Sequence, residues 1–291
     1  MRQREKLMSY RKGDRVRHPS KGEWGLGEVL EDGKGGNVRI FFVGAGEKTI
    51  SLRYVQPEKV SAQEAVHPVL DNLKISKTSS GIKYRSLPQS KNYFLEQFPE
   101  GYYGQRFKEK EREYKIHAHD LALELLNREK FHALLENDEH TEVCKRALKV
   151  VNATNLIFAN EKMALKDGLA QSEAECSFSA NLFDLLYGEG ALEERFSSFS
   201  KVLEGIGADK WTTASYFLFI VHPDKFMFVK PTITKHASEL CGFEINYKPQ
   251  LNWLTYKSVL EFSEYLKSEL AELNPRDMID VQSFMWCIRR Q

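Results

Sequence analysis

Residues 13–52 set four short apolar alternations between glycine-rich breaks, and no other stretch limits the folding of this chain as tightly. The alternations fall at residues 15–18, 27–30, 38–43 and 48–52, period-two runs that suit short strands with one buried face. Gly22, Gly25 and Gly27 permit sharp bends or bulges, and Asp32-Gly33-Lys34-Gly35-Gly36 supplies positive-φ positions for a hairpin. The spacing predicts a strongly bent antiparallel meander that closes into a small β-barrel. Strand alternation turns Phe41 and Phe42 to opposite faces, so one is expected at the surface or under the rest of the protein. Nothing in this stretch has a catalytic pattern.

The order of these elements resembles the Tudor-like domain at the C-terminus of UvrD and PcrA helicases. The likeness rests on the opening Gly13-Asp14-Arg15-Val16-Arg17-His18, the turn Trp24-Gly25-Leu26-Gly27-Glu28-Val29 and the strand Val38-Arg39-Ile40-Phe41-Phe42. The run Glu47-Lys48-Thr49-Ile50, with Leu52 and Tyr54, completes it. CarD-type transcription factors open with a similar barrel. The resemblance covers about a seventh of the chain. It implies an SH3/Tudor-like docking module that contacts RNA polymerase, a helicase or nucleic acid, rather than a domain that performs chemistry.

The chain has 291 residues, 42% hydrophobic and 29% charged, a size and balance that suit about two globular domains. No apolar run approaches the roughly 20 residues needed to span a bilayer, and the charged N-terminus lacks a signal-peptide core, so a cytoplasmic location without membrane contact is expected. Cys144, Cys176, Cys241 and Cys287 form no CxxC pair and read as small buried hydrophobes. The net charge of +1 conceals a local excess: Arg2, Arg4, Lys6, Arg11, Lys12, Arg15, Arg17 and Lys21 stand against only Glu5 and Asp14. Such an excess attracts a phosphate backbone or an acidic protein face, or simply solvates a tail.

Prolines 57, 68 and 88 and the polar tract 77–81 mark a change of character. We read residues 10–60 as the barrel, 61–90 as a linker with a short helix or extended segment near 61–73, and 91–291 as an all-helical domain. Helical spacing recurs at Ile116, Leu121, Leu125 and Leu126, at Val143, Ala147, Val150 and Val151, and at Val259, Phe262, Leu266 and Leu270. About nine helices in an irregular bundle are expected. Pro231 and Pro275 stand where helices begin, preceded by Lys230 and by Asn274 as a candidate N-cap, with Asp277 and Asp280 suited to the last helix's positive end.

Leu203-Glu204-Gly205-Ile206-Gly207, followed by an apolar helix, resembles the helix-hairpin-helix of DNA glycosylases. That resemblance implies backbone N–H groups near Gly205 and Gly207 approaching a phosphate. The aspartate that family carries at the start of the helix following Phe226-Met227-Phe228-Val229 is replaced by Lys230 and Pro231, and no iron–sulfur cysteine cluster follows. The insertion Ala208-Asp209-Lys210-Trp211 separates Lys210 from the family's catalytic lysine. A more diffuse likeness to restriction-associated helical domains spans Trp211 to Pro231, Tyr256 and the closing run 277–286.

Other chemistry is poorly represented. His117 and His119 diverge on a helix, whereas Glu113/His117 and His140/Cys144 share a face without a third ligand. There is no GxSxG, Walker loop or GxGxxG. The chain therefore reads as multi-domain, an SH3/Tudor-like β-barrel followed by an all-helical domain, with no cofactor or metal implied. Its expected role is docking, without evident catalysis, on DNA or on a DNA-bound protein such as RNA polymerase or a helicase. A base-excision enzyme and a protein-binding adaptor in a bacterial defence system are the alternatives. Candidate contacts are Arg15, Arg17, Lys21, Trp24, Arg39, Phe41, Phe42 and Lys48 in the barrel, and Gly205, Gly207, Lys210, Lys230 and Lys235 in the helical domain.

Overall fold

A computed structural model describes residues 9–33, 36–61, 64–73 and 87–289. The basic positions Arg2, Arg4 and Lys6, the hairpin residues Lys34 and Gly35, and the polar tract 77–81 lie outside the described residues. The chain divides into two compact units, Met1–Tyr93 with His236–Glu244, and Phe94–Lys235 with Ile245–Gln291.

The first unit is built on five antiparallel strands: β1 (Arg15–Arg17), β2 (Leu26–Val29), β3 (Asn37–Phe42), β4 (Gly46–Ser51) and β5 (Glu58–Lys59). Their order is β4-β3-β2-β1-β5, an open sheet rather than the closed barrel expected from the sequence. No ladder joins β4 to β5 among the described residues. With only three residues in β1 and two in β5, that end of the sheet is too short to curl round and pair with β4. Residues paired across strands share a face. Val16, Gly27, Val29, Ile40 and Phe42 therefore lie together, and with Tyr10, Val38 and Ile50 they form the core of this unit. Gly27 is required there: a Cβ would stand 2.7 Å from Phe42 Cδ1 and 2.8 Å from Ile40 Cγ2. The opposite face is covered over β2, all of which is buried, while Arg17, Glu47 and Thr49 on that face are exposed. Helix α1 (Pro68–Asp71), capped by the His67 side chain, and an isolated bridge between Leu73 and Phe243 belong to this unit.

Helix α2 (Leu87–Gln97) leads into the helical unit. There α3 (Gln105–Phe107), a π-helical turn at Lys108–Arg112 and α4 (Glu113–Leu125) run on without a break. They are followed by α5 (Arg128–Glu136), α6 (His140–Asn152), α7 (Ala159–Gly168), α8 (Ser172–Tyr187) and α9 (Leu192–Gly205). Helices α10 (Trp211–Val221), α11 (Pro231–Leu240), α12 (Trp253–Glu269) and α13 (Met278–Cys287) complete the chain. The apolar helix α10 is buried along its whole length. α6 buries Val143, Ala147, Val150 and Val151, and α12 buries Val259, Phe262 and Leu266, the faces their spacing predicts.

Two local expectations are corrected. α13 is capped by Asp277, whose Oδ1 accepts the N–H groups of Ile279 and Asp280, while Asn274 adopts the left-handed conformation that ends a preceding 3₁₀ turn. Asp277 stands directly before the helix, where its Oδ1 meets the first N–H groups, whereas Asn274 lies three residues earlier. On α4 the deepest side chains are Lys115, Ala118 and Ala122, not Ile116, Leu121 and Leu125, which are half-buried. Lys115 donates to Gln282 Oε1 and Ser283 Oγ, both at 2.7 Å, so α13 supplies the acceptors that let a lysine lie inside. Beside it, Arg112 reaches Asp277 and the buried Asp280, which Arg276 also grips at 2.8 Å.

Candidate functional site

The face of the sheet opposite that core holds a row running Arg15, Glu28, Phe41 and Glu47 across four strands. Arg15 ion-pairs with Glu28 at 3.0 Å and with Asp71 at 3.1 Å, and donates to the Ala65 carbonyl. Burial pushes the Glu28 carboxyl up, and the Arg15 guanidinium opposes that shift. The Arg15 charge is thus met inside the fold. Arg39 is likewise held by Glu47, with Nε 2.7 Å from Oε1, and by Glu31 at 3.4 Å. Phe41 is half-buried against Gly242: a Cβ there would stand 2.6 Å from Phe41 Cζ.

Lys48 pairs in register with Ile40, so it belongs to the other face, away from Phe41. Its ammonium sits 5.8 Å from the Trp24 ring centre, and Trp24 packs on His18 at 4.8 Å and on the buried Phe42 at 5.2 Å. Arg17 and Lys21 are exposed, with Glu23 3.8 Å from Lys21. The structure therefore does not join Arg39, Phe41 and Lys48 into one patch.

In the helical unit the glycine turn takes a different part from the expected hairpin. Gly207 has φ +69°, and the N–H groups of Ile206, Gly207 and Ala208 bond to the carbonyls of Val202, Glu204 and Leu203. This is the left-handed cap that terminates α9, so those donors are already taken. The exposed Gly205 and Gly207 consequently form a helix C-terminus rather than a phosphate-facing loop.

Lys210, Lys230 and Lys235 follow this turn in the chain. Lys210 is the N-cap of α10 without a capping side chain, no acidic residue stands in the first turn, and Pro231 opens α11 directly after Lys230. Glu161 of α7 ties the region: its Oε2 accepts from the Phe158 N–H at 3.1 Å and from Thr212 Oγ at 2.9 Å. Glu161, Lys210, Trp211, Pro231 and Tyr247 line a hollow of about 360 Å³. Lys235 places its ammonium 4.7 Å from the Tyr247 ring centre.

Lys230 lies between two rings, 4.2 Å from the centre of Phe158 and 5.3 Å from that of Trp286, and donates to the Leu156 carbonyl. Burial draws its ammonium below the ordinary lysine range, with Glu161 opposing and Arg289 adding to the shift. Arg289 stacks 3.5 Å from the Trp286 ring centre. Phe158 is 55% exposed. Lys210 and Lys235 thus share Tyr247, and Lys230 lies against Phe158 and Trp286; the sequence singles out neither Phe158 nor Tyr247. Both stand outside the helices whose periodicity gives a signal.

A second hollow, of about 340 Å³, lies beside the π-helical turn and is lined by Arg112, Glu113, His117, Asp120 and Arg276. Its arginines are engaged by Asp277 and Asp280. His140 bonds to Ser179 Oγ, and the Cys144 thiol is directed to the Glu175 carbonyl. Among the described residues no group of three or more His, Cys, Asp or Glu side chains is placed to hold a metal ion. Cys144, Cys241 and Cys287 are buried, whereas Cys176 is exposed, contrary to its reading as a core residue, because it falls on the outer side of α8. No helix among the described residues is long and apolar enough to cross a membrane.

Residues 10–60 match the model of a family described as a protein of unknown function, DUF3553. No curated protein and no solved structure matches the chain.

Proposed function

We propose that the protein is an accessory factor in nucleic-acid transactions. Its N-terminal sheet docks on DNA or on a DNA-bound protein such as RNA polymerase or a helicase, and its helical unit touches the nucleic acid through the face around Lys210, Lys230 and Lys235. What supports this reading is that Lys210 and Tyr247 line one hollow, Lys235 lies over the same Tyr247 ring and Lys230 lies over Phe158, cations and aromatic rings being the two elements of sequence-tolerant nucleic-acid binding. The order β4-β3-β2-β1-β5, in which the last strand returns beside the first, supports the SH3/Tudor-like reading of the sheet. The start of α11 carries Lys230 and Pro231 in place of an acid, so the reading includes no base excision.

Binding of labelled oligonucleotides to the full chain, followed by anisotropy across a salt series, tests this. The logarithm of the affinity should fall linearly with that of salt, by about 0.9 per phosphate neutralised on a duplex. Lys210→Ala with Lys235→Ala should flatten the slope by about 1–2, Lys210 being exposed and only loosely paired with Asp209 at 3.7 Å, and Arg17→Ala by about 1 where the sheet also touches DNA. Arg15→Ala should leave the slope unchanged, because Glu28 and Asp71 already neutralise that charge. Absence of binding, or binding indifferent to salt, would sink the proposal.

A further inference from the structure

We infer that the hollow beside α10 and α11 receives a single unpaired nucleobase bearing an exocyclic amino group, with the flanking phosphates held by the lysines around its rim. This deepens the nucleic-acid reading above and rests on it.

The argument begins with volume. About 360 Å³ lies at the small end of ligand sites, enough for one heterocycle with water and far too little for a base pair with its backbone. The walls suit a flat guest, since the Tyr247 ring and the rings of Pro231 and Pro249 all border the space. The Trp211 wall is fixed in place, its indole N–H donating to the Lys248 carbonyl at 2.9 Å.

Charge then decides which part of a nucleotide enters. Two carboxylates, Glu161 and Asp209, line the hollow, and both repel a phosphate. The same carboxylates accept hydrogen bonds from amino and imino groups. Both bonds to Glu161 use Oε2, which leaves Oε1 as an acceptor, and the Gln250 amide adds a donor and an acceptor. Cations border the same space: Lys210 lines it, 3.7 Å from Asp209, Lys235 lies over the Tyr247 wall, and the N-termini of α10 and α11 add positive potential. A base taken out of a stack is read in this way, by its edge and its flat face, while its backbone remains outside. Cytosine, adenine and guanine present amino groups to such acceptors; thymine and uracil present carbonyl oxygens on either side of a single N–H.

The test uses the full chain and three labelled duplexes, one fully paired, one with a single unpaired cytosine and one with a single unpaired thymine in its place. The cytosine bulge should bind about tenfold more tightly than the paired duplex, with the thymine bulge close to the paired one. Tyr247→Leu and Gln250→Ala should each reduce the cytosine preference while duplex binding keeps its salt dependence. Thermal unfolding of each variant checks its fold, and the exposed position of Gln250 keeps the test open where Tyr247→Leu does not fold. Equal affinity for all three duplexes in the unsubstituted protein, with normal salt dependence, would overturn the nucleobase site alone. A cytosine preference untouched in folded variants would also overturn it. No binding to any duplex would remove the accessory-factor reading with it.

Discussion

Lys115 shows most clearly how a single residue sets conditions on this fold. Fully buried, it has its ammonium pKa drawn from 10.5 to about 8 by loss of hydration, with Glu111 as the leading opposing charge. The folded value lies below the unfolded one, so between about pH 8 and 10.5 the unfolded chain binds the extra proton and stability rises with pH from this group. Below about 8 both states are charged and the full cost of burial applies, on the order of 3 kcal/mol. Denaturant unfolding of the unsubstituted protein and Lys115→Met should therefore diverge in favour of lysine as pH rises through this window. The Cys144 thiol, raised to about 12, acts with the opposite sign in both proteins and cancels in the difference, whereas the Cys287 thiol feels the Lys115 charge, so the comparison is cleanest below the ordinary thiol value of 9.0. A pH-independent difference would show that Lys115 is not desolvated. Apolar periodicity has no means of finding such a residue, because a buried lysine depends on acceptors from α13, far away in sequence. Phe41 and Phe42 were legible as a pair facing opposite ways, since alternation along a strand is local; that Arg15 and Arg39 would be neutralised was not, since their partners come from other strands and from α1.

Glycine takes three different parts at the scale of elements. Adding a methyl group at Gly27 drives it into Phe42 and Ile40 inside the sheet's core, and Gly27→Ala should destabilise by about 1–3 kcal/mol. Gly207 adopts φ +69° at the end of α9, and Gly207→Ala should cost about 1 kcal/mol through backbone strain. Gly205, with open space where its Cβ would be, sits within the last turn of the same helix, so Gly205→Ala should be neutral or stabilising by up to about 1 kcal/mol. Chemical denaturation of the three variants reads all of these, and a destabilising Gly205→Ala would contradict the helix-end assignment. A glycine pair alone does not distinguish a helix end from a phosphate-binding hairpin. The difference lies in where the neighbouring N–H groups go, and here they return to α9. The helices themselves were largely legible, as the buried faces of α6 and α12 attest, because amphipathic spacing is written into each segment.

Two distant stretches of chain make one unit at the scale of the molecule. Gly242, at φ +66°, lies against Phe41 and Leu73; the Leu73–Phe243 bridge and the Glu244 N–H to Asn72 bond add to the join. Gly242→Ala should destabilise this unit by about 1–3 kcal/mol, and Phe41→Val should relieve part of that cost, giving a coupling above about 0.5 kcal/mol in a double-mutant cycle. Strict additivity would show that the two positions do not meet. The sequence by itself determined the strands of residues 13–52, their glycine breaks and the helical character of residues 91–291, since all depend on hydrogen bonds and apolar periodicity within short windows. Only the tertiary structure decided that the sheet stays open, that residues 236–244 complete its unit, that Arg15 and Arg39 are neutralised, that Lys210 and Tyr247 line one hollow with Lys235 over the Tyr247 ring, and that Lys230 lies over Phe158. Each of those outcomes is a contact between segments far apart in sequence, set by charge pairing and close packing, and no local pattern encodes which partner a side chain will find.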